Sequence, residues 1–154
     1  MDRRLTLLFI SDERDYPLLL KKLGEYHGKF PIFLSMTKNM GVARKEVIDK
    51  VVTDYCLCLD MDTDLPEGYI EEALGMLQSN LRLVCVALDY EKSQGHYAFG
   101  TSIWKANILK GLYDYRHQTE LCECMYLFNK AFRFGYSIDT IGKYRAIHNN
   151  KEKS

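Results

Sequence analysis

Proline and glycine are sparse, three and ten residues in a chain of 154, which excludes collagen-like, low-complexity and disordered chains. No charge of one sign predominates, because 21 Lys plus Arg are balanced by 21 Asp plus Glu. A protein that follows a nucleic acid needs a basic surface to displace counterions from the phosphates, so nucleic acid is not an expected partner. No apolar run approaches the roughly 18 residues that span a bilayer. The stretch after Met1-Asp2-Arg3-Arg4 is broken by Asp12, Glu13, Arg14 and Asp15, so neither a signal peptide nor a transmembrane helix is expected. Metal-type cysteine spacing is missing too. Zinc sites use spacers of about two to four residues, whereas Cys56 and Cys58, like Cys122 and Cys124, are separated by one. Five cysteines, an odd number, argue against a secreted disulfide framework. Buried, inert thiols in a cytoplasmic, reducing setting are the expectation.

What the chain does have is apolar content, 47% of residues, enough for one domain with its own core. That domain is expected over residues 1–148, with 149–154 as a charged, frayed tail. Leu5 to Ile10 is a short apolar run that reads as a buried strand. A helix follows from about Tyr16 to Tyr26, with Leu19, Leu20, Leu23 and Tyr26 on one stripe. Then come a strand from Phe30 to Ser35, a helix from about Val42 to Val52, and a strand from Tyr55 to Leu59. Pro66 suits a first helical turn, Asp64 can cap it with Glu67 three residues on, and Ile70, Ala73, Leu74 and Leu77 give an apolar face, so a helix is predicted over 66–78. Leu83 to Leu88 reads as a strand covered on both faces. Thr101 or Ser102 can cap a helix running to about Leu112, a further helix runs from about Glu120 to Gly135, and short extended pieces end the chain. Strand and helix alternate, which predicts a single three-layer α/β/α domain with a mostly parallel central sheet. Ligands of such sheets bind beyond the carboxyl ends of the strands, where Ser11-Asp12, Lys38-Asn39 and Asp60-Met-Asp62 fall.

The densest chemistry is at Asp60, Asp62 and Asp64. Three carboxylates directly after a buried strand repel one another unless something positive offsets them. Asp60 and Asp62 can point the same way and offer hard oxygen ligands to Mg²⁺ or Mn²⁺, leaving positions for phosphate oxygens and water. The same spacing opens a calcium loop, but Leu65 stands where that loop needs its turn glycine. A solvated turn that only caps the next helix is the plainer alternative.

The ordered series Lys38-Asn-Met-Gly-Val-Ala-Arg44, Leu57-Cys-Leu-Asp-Met-Asp62, Leu65-Pro-Glu-Gly-Tyr-Ile70 and Gly100-Thr-Ser-Ile-Trp-Lys-Ala-Asn107, with Glu123-Cys-Met-Tyr-Leu127, Gly135 and His148, resembles GT-A type glycosyltransferases, especially the large second family of inverting enzymes. The resemblance runs from about residue 5 to 148. It implies a nucleoside-diphosphate sugar as donor and a glycan, lipid or protein acceptor. It further implies that Asp60 contacts the ribose or the metal shell, that Asp62 ligates Mn²⁺ or Mg²⁺, that His148 completes the metal or diphosphate site, and that Asp12, Asn39 and Arg44 help hold the nucleotide. Glu123 is then the nearest candidate for the base that deprotonates the acceptor, with Glu120 one helical turn earlier as the alternative. The chain departs from the family at Glu123-Cys124, where Glu-Asp is usual, and has little sequence after His148 for an acceptor site, which could be open or completed by another copy in a homo-oligomer. The alternatives are a non-catalytic nucleotide-sugar or cation-binding module and, less favoured, a sugar-phosphate nucleotidyltransferase. The latter would carry a Gly-rich first loop where this chain has Ser11-Asp-Glu-Arg14. A Tyr-rich stretch at Tyr113 and Tyr115, with Tyr90 and Tyr97, could line an acceptor groove.

Overall fold

The structure is a computed structural model that describes residues 1–36, 40–89, 98–114 and 123–148, without the side chains at 40, 123–125 and 148. The expected strands form where apolar runs are continuous: β1 (Leu5–Ile10), β2 (Ile32–Ser35), β3 (Tyr55–Leu59) and β5 (Leu83–Val86). Every residue of β3 and β5 is buried, as a strand covered on both faces requires. With β6 (Ile103–Lys105) and β7 (Ser137–Asp139) they build one six-stranded sheet in the order β2-β1-β3-β6-β5-β7. β1 runs parallel to β2 and β3, and β5 runs parallel to β7. Only β6 runs the other way, antiparallel to both β3 and β5. A separate two-stranded ribbon pairs β4 (Thr63–Asp64) with β8 (Ile147–His148).

Alternation along the strands divides the core into two layers. Leu5, Leu7, Phe9, Leu57, Leu59, Val86 and Ile103 face α1 (Tyr16–Tyr26) and α3 (Tyr69–Ser79). Leu8, Cys56, Cys58, Cys85 and Trp104 face α2 (Met40–Lys50), α4 (Ala106–Leu112) and α5 (Glu123–Arg133). Helices thus cover both faces, giving the three-layer α/β/α arrangement. Among the described residues no helix is long and apolar enough to cross a membrane.

Two local expectations are corrected. The predicted helix from Thr101 or Ser102 is instead a short 3-10 turn (Phe99–Thr101), then β6, and only then α4. Thr101 does not cap a helix, because its Oγ1 accepts from the Leu88 N–H and donates among the Leu88 and Ala98 carbonyls. Ser102 bonds back to the Phe99 carbonyl and accepts the Trp104 indole N–H at 2.8 Å. Ile103 and Trp104 match a helical stripe and a strand equally well, and the open slot between β3 and β5 decides for the strand. Trp104, stacked on Phe128 at 5.8 Å, is a core residue.

The helix predicted over 66–78 begins later, at Tyr69, and Asp64 does not cap it. Its N-cap is Gly68, with φ of 88°. That left-handed backbone favours glycine, and a Cβ there would also meet the Tyr144 hydroxyl. The buried Tyr69 hydroxyl lies 2.7 Å from the Thr101 carbonyl and 3.0 Å from that of Val86, tying the start of α3 to the end of the sheet.

Candidate functional site

The site sits beyond the carboxyl ends of β1 and β3. Buried β3 delivers Asp60 to the surface at its last step, and the chain then turns sharply, the Thr63 N–H donating to the Asp60 carbonyl at 3.1 Å. The Asp60 N–H donates to the Gly100 carbonyl at 3.2 Å, so the turn before β6 lies directly against the carboxylate. The fit is close enough that a Cβ at position 100 would fall within the Asp60 carboxylate. Only glycine allows this approach without displacing Asp60.

Arg44 reaches Asp60 from α2. Its Nη2 is 3.5 Å from Asp60 Oδ1, and the side chains are 15% and 41% exposed respectively. The guanidinium also lies over the Phe99 ring, 4.9 Å from its centroid, a placement that holds a planar cation firmly. Leu8, Ile10, Val47, Cys58 and Leu59 line a small cleft with Arg44 and Asp60. Burial pushes the Cys58 thiol up to about 12 despite the opposing pull of Arg44, so it stays protonated at neutral pH. Burial likewise raises the Cys56 and Cys85 thiols well above their ordinary value.

Among the predicted residues, Arg44 and Asp60 are therefore brought together, with half-buried Asp62 two positions on. The ribbon sets the His148 backbone opposite Thr63, the residue after Asp62, from 85 residues away in sequence. Asp12 has a different local role. Its Oδ1 accepts from the Arg14 and Asp15 N–H groups at 2.8 and 3.2 Å, capping a 3-10 turn over Glu13–Asp15. Its other oxygen pairs with the Arg14 guanidinium at 2.9 Å, which holds the carboxyl below its usual range. Asn39, Glu120 and the tyrosines at 90, 97 and 115 lie outside the described residues, and Tyr113 is buried against Phe99 rather than in a groove. The backbone of Glu123 opens α5. That helix precedes β7 in the chain.

Sequence reasoning missed Lys22. This lysine is on the buried stripe of α1, between Leu19 and Tyr26, with its side chain 2% exposed. Its ammonium donates to the Thr63 carbonyl and, at 2.7 Å, to Asp64 Oδ1. The available signal was its spacing: position 22 is one helical turn after Leu19 and one before Tyr26. Asp64, which read as a helix cap, is instead the partner of this cation.

Among the described residues no three His, Cys, Asp or Glu side chains form a ready-made metal cage. Asp60 offers carboxylate oxygens with the Gly100 backbone packed directly against them, and Asp62 follows two residues on. Carboxylate oxygens are the donors that Mg²⁺ and Mn²⁺ take, commonly one or two with phosphate and water completing the shell.

No protein-family model matches the sequence, and no curated protein matches it. Solved structures do share its architecture. S. aureus TarS 1–349 superposes with a TM-score of 0.63 at 11% identity, over 94% of this chain and 60% of its own; the same TarS segment has been crystallised with UDP-GlcNAc. GalNAc-T7, crystallised with UDP, GalNAc and Mn²⁺, gives 0.65 at 13% identity, over 94% of this chain and 43% of its own. The 4-diphosphocytidyl-2C-methyl-D-erythritol synthase of Anaerococcus prevotii gives 0.59 at 8% identity, over 90% and 88%. This chain thus spans less than two thirds of the TarS and GalNAc-T7 chains it resembles. At such identities the likeness concerns architecture: the chain has the α/β fold of nucleotide-sugar transferases of GT-A type.

Proposed function

We propose that this protein is a metal-dependent glycosyltransferase that moves a sugar from a nucleoside-diphosphate sugar to an acceptor hydroxyl. The observation that carries the reading is the packing of Gly100 and Arg44 around Asp60 at the open end of β3, in a fold shared with proteins crystallised with UDP-GlcNAc and with UDP and Mn²⁺. Asp60 and Asp62, with His148 beside them, would hold the cation, and Asp60 with Asn39 and Arg44 would bind the nucleotide. When bound, the cation offsets charge on the departing diphosphate. Asp12, occupied by its own turn and by Arg14, would reach the nucleotide only by exchanging that partner. In an inverting reaction, Glu123 accepts the acceptor's hydroxyl proton as that oxygen bonds to the anomeric carbon. The anomeric bond to the diphosphate breaks on the opposite face, and its electron pair leaves with the nucleoside diphosphate.

Cys124 at the usual place of a catalytic aspartate favours a second reading, a nucleotide-sugar binding module without turnover. The nucleotidyltransferase reading draws on the 88% coverage of the synthase chain, but the Asp12-capped turn after β1 has none of the glycines a phosphate-wrapping loop uses. Incubation with a panel of nucleotide sugars, with and without Mn²⁺, separates the readings. Mn²⁺-dependent donor hydrolysis or transfer supports the enzyme, and donor-induced thermal stabilisation without turnover supports the module.

A further inference from the structure

Lysine is seldom fully buried without a partner, because removing an ammonium from water costs several kcal/mol that only close polar contacts can offset. Lys22 is buried at a position where leucine would serve α1 equally well, and both of its close partners belong to the acidic turn. One is the carbonyl of Thr63, the residue whose N–H closes the turn back onto Asp60. The other is Asp64, the third carboxylate of the cluster. Glu25 stands farther off, at 3.9 Å. Thr63 is fully buried and is also the residue that pairs with His148. One cation therefore holds the point where β3, the turn and the β4–β8 ribbon meet.

We infer that Lys22 is a positioning residue for the cation and diphosphate site, acting through the Thr63 carbonyl to set Asp62 and His148 relative to Asp60. It also neutralises Asp64, which takes that carboxylate out of the repelling cluster. The inference rests on the proposed function above. Partners that orient ligating groups commonly change metal affinity by about tenfold to a hundredfold when removed.

The test is calorimetric titration of UDP, in excess Mn²⁺, into wild-type protein, Lys22→Met and the double variant Lys22→Met with Asp64→Asn, alongside their thermal midpoints. The double variant removes the carboxylate that the single change would strand, so it keeps a folded protein available. Positioning predicts that the double variant melts close to wild type and binds UDP with Mn²⁺ about tenfold or more weakly, with little change in binding measured without Mn²⁺. A folded variant that binds UDP with Mn²⁺ as tightly as wild type overturns the role of Lys22 and leaves the proposed function standing. Wild-type protein that binds no UDP overturns both.

Discussion

Arg44 and Asp60, from α2 and the end of β3, approach to 3.5 Å while the arginine lies over the Phe99 ring. The pair joins two elements that are independent in sequence, and it places a fixed positive charge beside the carboxylate before any ligand arrives. Arg44→Ala is expected to weaken UDP binding and to lower stability by about 1 kcal/mol through the lost ring contact. Arg44→Lys should recover little of the binding, since an ammonium cannot stack and reach Asp60 with the same planar geometry. Titration calorimetry on both variants checks this; a lysine variant that binds like wild type would contradict it.

Gly100→Ala forces a methyl group into the Asp60 carboxylate. The atoms it would meet all belong to the Asp60 side chain, so relief requires Asp60 to move. The expected result is a loss of about 1–3 kcal/mol in urea unfolding, in the range of overpacking changes, together with loss of nucleotide binding. Alanine at Gly75, which has open space around it, is the control and should be neutral or slightly stabilising.

Cys58 makes a pH prediction of definite sign. Its folded value is raised from 9.0 to about 12, so the folded state keeps the proton that the unfolded state releases. The resulting stability is fully present below about pH 9 and is lost as pH rises toward 12. Urea midpoints measured across that window should fall less steeply for Cys58→Ala than for wild type. The same burial predicts that this thiol reacts with a disulfide reagent only after unfolding.

Catalysis, if Glu123 is the base, should separate from binding. Glu123→Gln is expected to lower sugar transfer by about a hundredfold or more while leaving UDP affinity unchanged. The same result from Glu120→Gln, with Glu123→Gln active, would move the assignment three residues earlier.

Much of this fold was legible because its central strands are continuous apolar runs. β3 spans Tyr55–Leu59 and α1 spans Tyr16–Tyr26, the limits their patterns predict, since a buried strand and a one-sided helix each have a distinct period. β6 was not legible. Ile103 and Trp104 satisfy either period, and what selects a strand is the vacancy between β3 and β5, a long-range fact. The acidic turn stood out by its charge, but the contacts that shape it come from distant segments. Lys22 resembles any helical lysine until the fold buries it, and Gly100 gains its meaning from the Asp60 carboxylate 40 residues earlier in the chain. The offset of α3 has a similar origin. Asp64 is drawn into the ribbon with Ile147 and into contact with Lys22, so it cannot cap the helix its sequence spacing suggests.

Asp60 and Asp62 are proposed to hold a divalent cation that binds a nucleoside diphosphate. Calorimetric titration of UDP into wild type and Asp62→Ala, each with and without Mn²⁺, tests it most directly. Mn²⁺-dependent binding by wild type and its loss in Asp62→Ala are expected, with the thermal midpoint of the variant near that of wild type. Unchanged, Mn²⁺-dependent binding by Asp62→Ala would contradict it.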